Sequence, residues 1–277
     1  MNTPSQHALW NGPSGHAWVE AQALLDGMFA PLATHLAQAV PMHAPLQVLD
    51  VGCGTGAVSL AIAARLGDGG RCTGVDISAP MVACAAQRVA ATVLPAAFAI
   101  ADAQQAVFAP ARFDRIVSRF GVMFFDQPVQ AFSNLRLATR PGGTLQALAW
   151  RSADDNPFMT TAERAAAPWL DLPARVPGAP GQFAFADPQR VRGFLSESGW
   201  ADIDLRPLDV ACTISRDALR TYVALLGPVG AMLRSEAMAP AVRHQVLAAM
   251  DHAFAPFVEG ETVRFNAACW ELRAHAP

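Results

Sequence analysis

The sequence predicts a doubly wound α/β fold on a mostly parallel sheet. Three observations carry that expectation. Residues 48–51 read as a short buried strand that carries Asp50 near its end and runs directly into the glycine-rich turn 52–56. Residues 57–66 place Val58, Ile62 and Leu66 at helical spacing and stop at Gly67, so a helix follows the turn. From residue 47 to 150, apolar strand-like runs alternate with helical segments, the rhythm of βαβ units.

The elements follow in order. Between residues 20 and 40, Leu25, Phe29, Leu32, Leu36 and Val40 recur at three- and four-residue spacing, which predicts amphipathic helices broken near Pro31. Before them, Trp10-Asn11-Gly12-Pro13-Ser14-Gly15-His16-Ala17-Trp18 reads as a turn-rich segment able to fold over a ligand. The core opens at Gln47. A second strand, 71–76, is followed by Ser78 as a helix N-cap and Pro80 in the first turn. A third, 96–101, ends at Asp102. A fourth, 113–118, leads through Arg119-Phe120-Gly121 to a helix over 128–139. Arg140-Pro141-Gly142-Gly143 then turns into a fifth strand, 144–150. Residues 151–186, rich in Pro, Gly and Ala, read as an insertion with a short helix near 160–169. Asp187, Pro188 and Gly199 bracket a capped helix. Two more strands are expected at 201–210 and 263–275, with helices at 217–226 and 241–254 between them. The whole is expected to be one domain over 1–277: a helical cap at 1–44, a core at 45–150, lid or insert segments at 151–186 and 214–260, and the last helix and strands at 187–213 and 261–277.

Composition narrows the function. At 277 residues and 52% hydrophobic, the chain is long enough for a full core. A formal net charge of −3 gives no broad attraction to nucleic acid or an anionic membrane. All 20 basic residues are arginine, so a lysine base or Schiff base is excluded, and with Tyr222 the one tyrosine, so is a Tyr-Lys dehydrogenase pair. Five scattered cysteines without a C-x-x-C argue for reduced thiols in a cytoplasm, with no metal site. The N-terminal stretch lacks a signal-peptide pattern, and no run of about 18 apolar residues predicts a membrane span.

A strand, a glycine turn and a helix let backbone approach a nucleotide-like ligand, because glycine has no Cβ to block it. By itself the device is ambiguous: Gly52, Gly54 and Ala57 also satisfy the G-x-G-x-x-G/A dinucleotide pattern, with Asp76 at about the expected ~20-residue distance, and a bare strand–helix turn needs no ligand. Asp50 separates the two ligands. A carboxylate there would repel a pyrophosphate and suits a ligand bearing positive charge.

At this point the run Val48-Leu49-Asp50-Val51-Gly52-Cys53-Gly54-Thr55-Gly56 resembles motif I of the class I S-adenosylmethionine-dependent methyltransferases, in the small-molecule, UbiE-like branch. Val75-Asp76-Ile77-Ser78 with Met81, and Arg140-Pro141-Gly142-Gly143, are similar to further motifs of that family. The resemblance implies a Rossmann-like sheet of seven strands in the order 3-2-1-4-5-7-6, the last antiparallel. It also implies a set of roles. Asp50 serves the ammonium of the cofactor S-adenosyl-L-methionine, with Gly52, Cys53, Gly54 and Gly56 packed under the ligand. Asp76 takes the ribose hydroxyls, and Ile77 and Met81 sandwich the adenine. Asp102 and Ala103 read the adenine edge. Ser118, Arg119 and Phe120 present backbone to the methionine part.

A sulfonium methyl is already activated, so its transfer asks mainly for alignment and exclusion of water. A base is needed only for a nucleophile that arrives protonated. His16 is the candidate near the N-terminus, with His244 and His252 on a late helix as weaker ones. Trp18, Phe124, Tyr222 and Met232 are candidate substrate contacts; Trp10 and Trp18 could equally pack the first helix, and the lid helices could equally pack on the core or on a second copy in a homodimer. An amino-methylating nucleic-acid enzyme would show an Asp/Asn-Pro-Pro-Tyr/Phe motif after strand four, where Ser118-Arg119-Phe120-Gly121 stands instead. A metal-dependent catechol enzyme would need a carboxylate cluster, and Asp154-Asp155-Asn156 is better read as a polar turn. The expected function is methyl transfer to a small, apolar or aromatic metabolite. The alternatives are an NAD(P)-dependent oxidoreductase and a non-catalytic S-adenosylmethionine-binding protein serving as a regulator or assembly partner.

Overall fold

The computed structural model describes residues 5–277, so the first four residues of the expected 1–44 cap lie outside it. Four short helices open the chain: α1 Gln6–Asn11, α2 Pro13–Glu20, α3 Gln22–Met28 and α4 Ala30–Gln38. The core follows as β1 Gln47–Val51, α5 Ala57–Ala63, β2 Arg71–Asp76, α6 Ala79–Ala90, β3 Ala96–Ile100, β4 Phe113–Arg119, α7 Pro128–Ala138 and β5 Thr139–Trp150. Then come α8 Pro157–Ala166, α9 Pro188–Glu197, β6 Ala201–Ser215, α10 Arg216–Leu225, α11 Gly227–Leu233, α12 Pro240–Phe254, β7 Val258–Glu259 and β8 Thr262–His275.

The sheet order is β3-β2-β1-β4-β5-β8-β6, with the two-residue β7 paired on β8. This is the expected order with one small hairpin strand added. β1 to β5 are parallel, and β8 runs antiparallel to both neighbours. The four last residues of β1 are buried, as a parallel strand covered on both faces requires. Right-handed crossovers place α5 and α6 on one face; the order reverses between β1 and β4, so α7 falls on the other. The reversal leaves a crevice beyond the carboxyl ends of β1 and β4, where open α/β sheets bind ligands.

One expectation is corrected. Residues 10–18 are helical, not turn-rich: Pro13 starts α2, and Gly15 inside it lets the α1–α2 corner close, since a Cβ there would lie 1.9 Å from the Trp10 carbonyl oxygen. The helices are broken near Pro31 as expected: the break falls at Phe29, and Pro31 sits in the first turn of α4, whose Leu32, Ala33, Leu36 and Ala37 are buried. The turn 140–143 lies inside β5 as an irregularity in its pairing with β4. No helix among the described residues is long and apolar enough to cross a membrane.

The insertion and the late helices form one packed body. Phe158 on α8 is 1% exposed and stacks on Phe265 of β8, with ring centroids 4.0 Å apart. Phe254, Phe257 and Tyr222 surround it at 5.2, 5.2 and 5.6 Å. Asn156 fastens this body to the sheet by exchanging hydrogen bonds with the backbone of Ala268, at 2.9 Å each. α11 also meets α2, so the body touches the N-terminal cap.

Candidate functional site

The glycine turn is set by three left-handed backbone angles, φ +67° at Gly52, +53° at Gly54 and +88° at Gly56. Their reasons differ. A Cβ on Gly52 would lie 2.5 Å from the Cα of Gly121, so the turn and the end of β4 touch backbone to backbone. A Cβ on Gly56 would strike the Phe98 ring at 2.8 Å. On Gly54 a Cβ would meet only the Met81 sulfur, at 3.8 Å: the space above Gly54 is open. The turn is anchored from β2, where the Val75 carbonyl accepts from the N–H groups of Gly52 and Cys53 at 2.9 and 3.1 Å. Cys53 is buried, and burial pushes its thiol pKa up.

Asp50 is 1% exposed. Its Oδ2 accepts a hydrogen bond from Ser59 of α5 at 2.6 Å, while its Oδ1 is buried without a partner. Desolvation raises its pKa to about 6, opposed by the Ser59 hydrogen bond and the charge of Arg119. An anion buried with an empty acceptor is what a cationic ligand group would satisfy.

Asp76 ends β2. Its Oδ2 accepts from the N–H of Gly54 and its Oδ1 from the N–H of Ser78, both at 2.9 Å. Burial raises its pKa, with those amides pulling it back. A carboxylate has about four acceptor positions, so two remain. Ile77 is half-buried and Met81 buried beside it, and Ser78 caps α6. Asp102 follows β3; its Oδ1 accepts from the Gln104 N–H at 2.9 Å, and the buried Ala103 accepts from Asn134 through its carbonyl at 2.8 Å. Ala101, one residue earlier, is tied to the Asp76 carbonyl, so Asp102 stands beside the end of β2.

At the end of β4 the three expected residues have different surroundings. Ser118 is buried and its hydroxyl ties the strand to the Val51 carbonyl at 2.7 Å, a clamp between β4 and β1. Phe120 has φ +69°, a strained value for a bulky residue, held by a stack on Trp150 at 4.4 Å and by its N–H to the Leu148 carbonyl. Arg119 reaches toward the cap, donating to the Phe29 carbonyl at 3.4 Å.

The cap roofs this crevice. Asn11 donates to the Ile77 carbonyl and accepts from the Ala79 N–H, both at 2.9 Å, and the Ser78 hydroxyl donates to the Trp10 carbonyl at 2.7 Å. The Trp10 ring meets Phe124 edge-on at 5.1 Å and Trp18 at 5.8 Å. Trp10 therefore bridges from the end of β2 to the segment after β4, across the glycine turn between them. Asn11 was missed from sequence, although a lone amide between two tryptophans was a visible signal. Gly121, whose lack of a Cβ admits the turn, was read only as part of a loop.

The structure does not bring every candidate together. His16 is exposed on α2, with its Nδ1 2.9 Å from the Gly12 carbonyl. Tyr222 belongs to the aromatic body around Phe158, and its hydroxyl donates to the Met159 sulfur at 3.5 Å. Burial pushes its phenol pKa up. Met232 borders a groove of about 210 Å³ with Leu170, Met238 and Val242. A larger concavity, about 480 Å³, lies beside Leu233, Arg234 and Arg243. Neither includes a residue of the glycine turn. The turn at Asp154-Asp155-Asn156 is structural, with Asp155 paired to Arg151 at 2.5 Å.

Comparison with known proteins agrees with this geometry. Residues 48–143 match the family model described as a methyltransferase domain. Nocamycin O-methyltransferase of Saccharothrix syringae is 36% identical over 122 residues, 42% of this chain and 42% of that protein. The ubiquinone/menaquinone biosynthesis C-methyltransferase UbiE of Geotalea daltonii is 34% identical over 99 residues, 35% of this chain and 42% of that protein. The matches span less than half the length of these relatives. Among solved structures, the [4+2]-cyclase SpnF aligns over 100% of this chain and 98% of its own, with a TM-score of 0.61 and 17% identity, a likeness of fold. The matched segment, the sheet order and the glycine turn agree: residues 48–143 match a methyltransferase domain, and the chain is similar to the class I S-adenosylmethionine-dependent methyltransferases.

Proposed function

We propose that this protein transfers a methyl group from S-adenosyl-L-methionine to a small, apolar or aromatic metabolite in the cytoplasm. The observation that carries the reading is Asp50: a buried carboxylate with one oxygen unpartnered, at the switch point of the sheet, beside a turn whose Gly54 leaves open space. A cationic amino-acid end fits that oxygen. A nicotinamide dinucleotide would bring its pyrophosphate to the same carboxylate.

The residues divide the work. Gly52, Gly54 and Gly56 lay backbone beneath the ligand; Asp76 offers its two remaining acceptor positions to the ribose hydroxyls; Ile77 and Met81 flank the adenine, with Asp102 and the Ala103 N–H at its edge. The bound cofactor supplies an activated methyl, so the protein needs to align a nucleophile with it and exclude water. Trp10, Trp18 and Phe124 supply an apolar wall over the turn, fit for a small apolar substrate and unsuited to a nucleic acid. The two named methyltransferase relatives, one for nocamycin and one for quinones, support a small-molecule substrate. His16 serves as base only if α2 turns its exposed face inward when substrate binds.

Asp76→Ala tests the cofactor assignment. Losing charge-assisted hydrogen bonds at about 1.5–3 kcal/mol each should weaken S-adenosylhomocysteine at least tenfold by calorimetry, with the circular dichroism spectrum unchanged. Affinity within twofold of the wild type would refute the ribose role. Incubation with a panel of phenols, quinones and carboxylic acids, read by mass spectrometry for a 14-Da gain (about the mass of a CH₂ group), tests turnover.

A further inference from the structure

Arg88 joins two parts of the molecule that the motifs of the glycine turn do not connect. It lies on α6, and its two terminal nitrogens serve different elements. One donates to the Thr55 carbonyl inside the glycine turn at 2.6 Å, and the other to Oδ2 of Asp26, on α3 of the N-terminal cap, also at 2.6 Å. Thr55 is buried, and both members of the ion pair are half-buried. One planar guanidinium, rigid through delocalisation, therefore fixes the distance between turn and cap. Its hold on the cap is a single point. Gln22 donates to the same Asp26 oxygen at 2.6 Å, while Asp26 Oδ1 is buried without a partner among the described residues. A half-exposed pair satisfied on one carboxylate oxygen adds little to stability, so firmness of the fold does not account for it.

What Asp26 holds is the end of α3. Three residues on, the helix stops at Phe29, the junction with α4. The Phe29 ring meets Phe120 at 5.5 Å and Trp150 at 5.9 Å, and those two rings stack at 4.4 Å. The three rings form an aromatic wall beneath the cap, at the ends of β4 and β5. Phe120 already hangs on the glycine turn, because its neighbour Gly121 touches Gly52 backbone to backbone. Phe29 hangs on the same turn at a distance, through Asp26 and Arg88. Leu25 and Met28, which flank Asp26, are buried in the core, so α3 moves as a packed piece and carries Phe29 with it.

We propose that Arg88 is a positioning residue: by gripping the Thr55 carbonyl and the Asp26 carboxylate together, it transmits occupancy of the glycine turn to α3 and so sets Phe29 in the aromatic wall. This rests on the S-adenosylmethionine reading above and deepens it, since a filled turn then completes the wall that the substrate meets.

The test is hydrogen exchange with and without S-adenosylhomocysteine. In the wild type, saturating ligand should slow exchange about fivefold both in the turn, residues 52–56, and in α3, residues 22–28. In Arg88→Met the turn should still be protected and α3 should not. Coupling is reciprocal, so this variant should also bind the ligand about fivefold more weakly by calorimetry. Asp26→Asn should behave in the same way. The double variant should bind no more weakly than either single one, because both changes break one link. Ligand-induced protection of α3 in Arg88→Met equal to that of the wild type would leave the pair a purely structural role and overturn the proposal. Additive losses in the double variant would do the same. So would a wild-type α3 whose exchange ignores bound ligand, a comparison that needs no variant. Wild-type protein that does not bind S-adenosylhomocysteine would overturn the cofactor reading itself.

Discussion

At the scale of single residues, charge placement dominates the site. Asp50 has a pKa near 6 in the folded, ligand-free protein, above its ordinary value of 3.8, because burial disfavours its charged form. The folded state therefore holds a proton that the unfolded chain releases, and the resulting destabilisation grows as pH rises from about 4 to 6, reaching about 3 kcal/mol above that window. A cation at Oδ1 reverses the preference. Binding of S-adenosylhomocysteine at pH 6 should then release protons, and affinity should fall about tenfold per unit as pH drops below 6. Calorimetry in buffers of different ionisation enthalpy reads the release directly. Asp50→Asn should abolish it; an unchanged release would assign the proton elsewhere. Gly52 and Gly54 show the same economy of atoms: one lacks a Cβ because Gly121 backbone occupies the place, the other because the place is left open.

At the scale of elements, the N-terminal helices act through a few polar contacts. α1 is held to the loop between β2 and α6 by Asn11, which both donates and accepts, and by the Ser78 hydroxyl. Asn11→Ala removes two partly buried hydrogen bonds, at roughly 1–3 kcal/mol in total. Hydrogen exchange over α1 and α2 should quicken while β1, β2 and β4 keep their protection. Exchange in the cap that matched the wild type would show that aromatic packing of Trp10 alone docks it. The helical state of residues 10–18 was hidden in the sequence by Gly12, Pro13, Ser14 and Gly15, which signal a turn when read locally. Pro13 instead opens a helix, and Gly15 fits where two helices meet too closely for a side chain.

At the scale of the whole molecule, the insertion after β5 and the helices between β6 and β8 share an aromatic core centred on Phe158. Val246, Met250 and Phe254 of α12 are 0–1% exposed, so much of the apolar surface expected for a substrate cover is spent on packing. Phe158→Ala should cost about 3–5 kcal/mol and lower the melting temperature on the order of 10 °C. Cofactor affinity measured well below that temperature should be unchanged, because Phe158 touches neither the glycine turn nor the ends of β2 and β4. A melting point within a degree of the wild type would mean that this body contributes nothing to the stability of the fold.

The sequence by itself determined the core strands, the helices between them and the turn that carries the methyltransferase resemblance. Strand 71–76, the Ser78 cap, and the bracket of Asp187, Pro188 and Gly199 are local signals: periodicity, a side chain that caps its own helix, a glycine that accepts a positive φ. Asp50, Asp76 and Asp102 were legible for the same reason, since a carboxylate at the end of a strand announces itself. What only the tertiary structure decided is which distant groups share a space. Asp26 meets Arg88 across 62 residues, Asn11 meets the β2–α6 loop across 66 and 68, and Tyr222 turns toward Phe158 and Met159. Such meetings depend on the packing of helices onto the sheet, a property of the whole chain that no local pattern encodes.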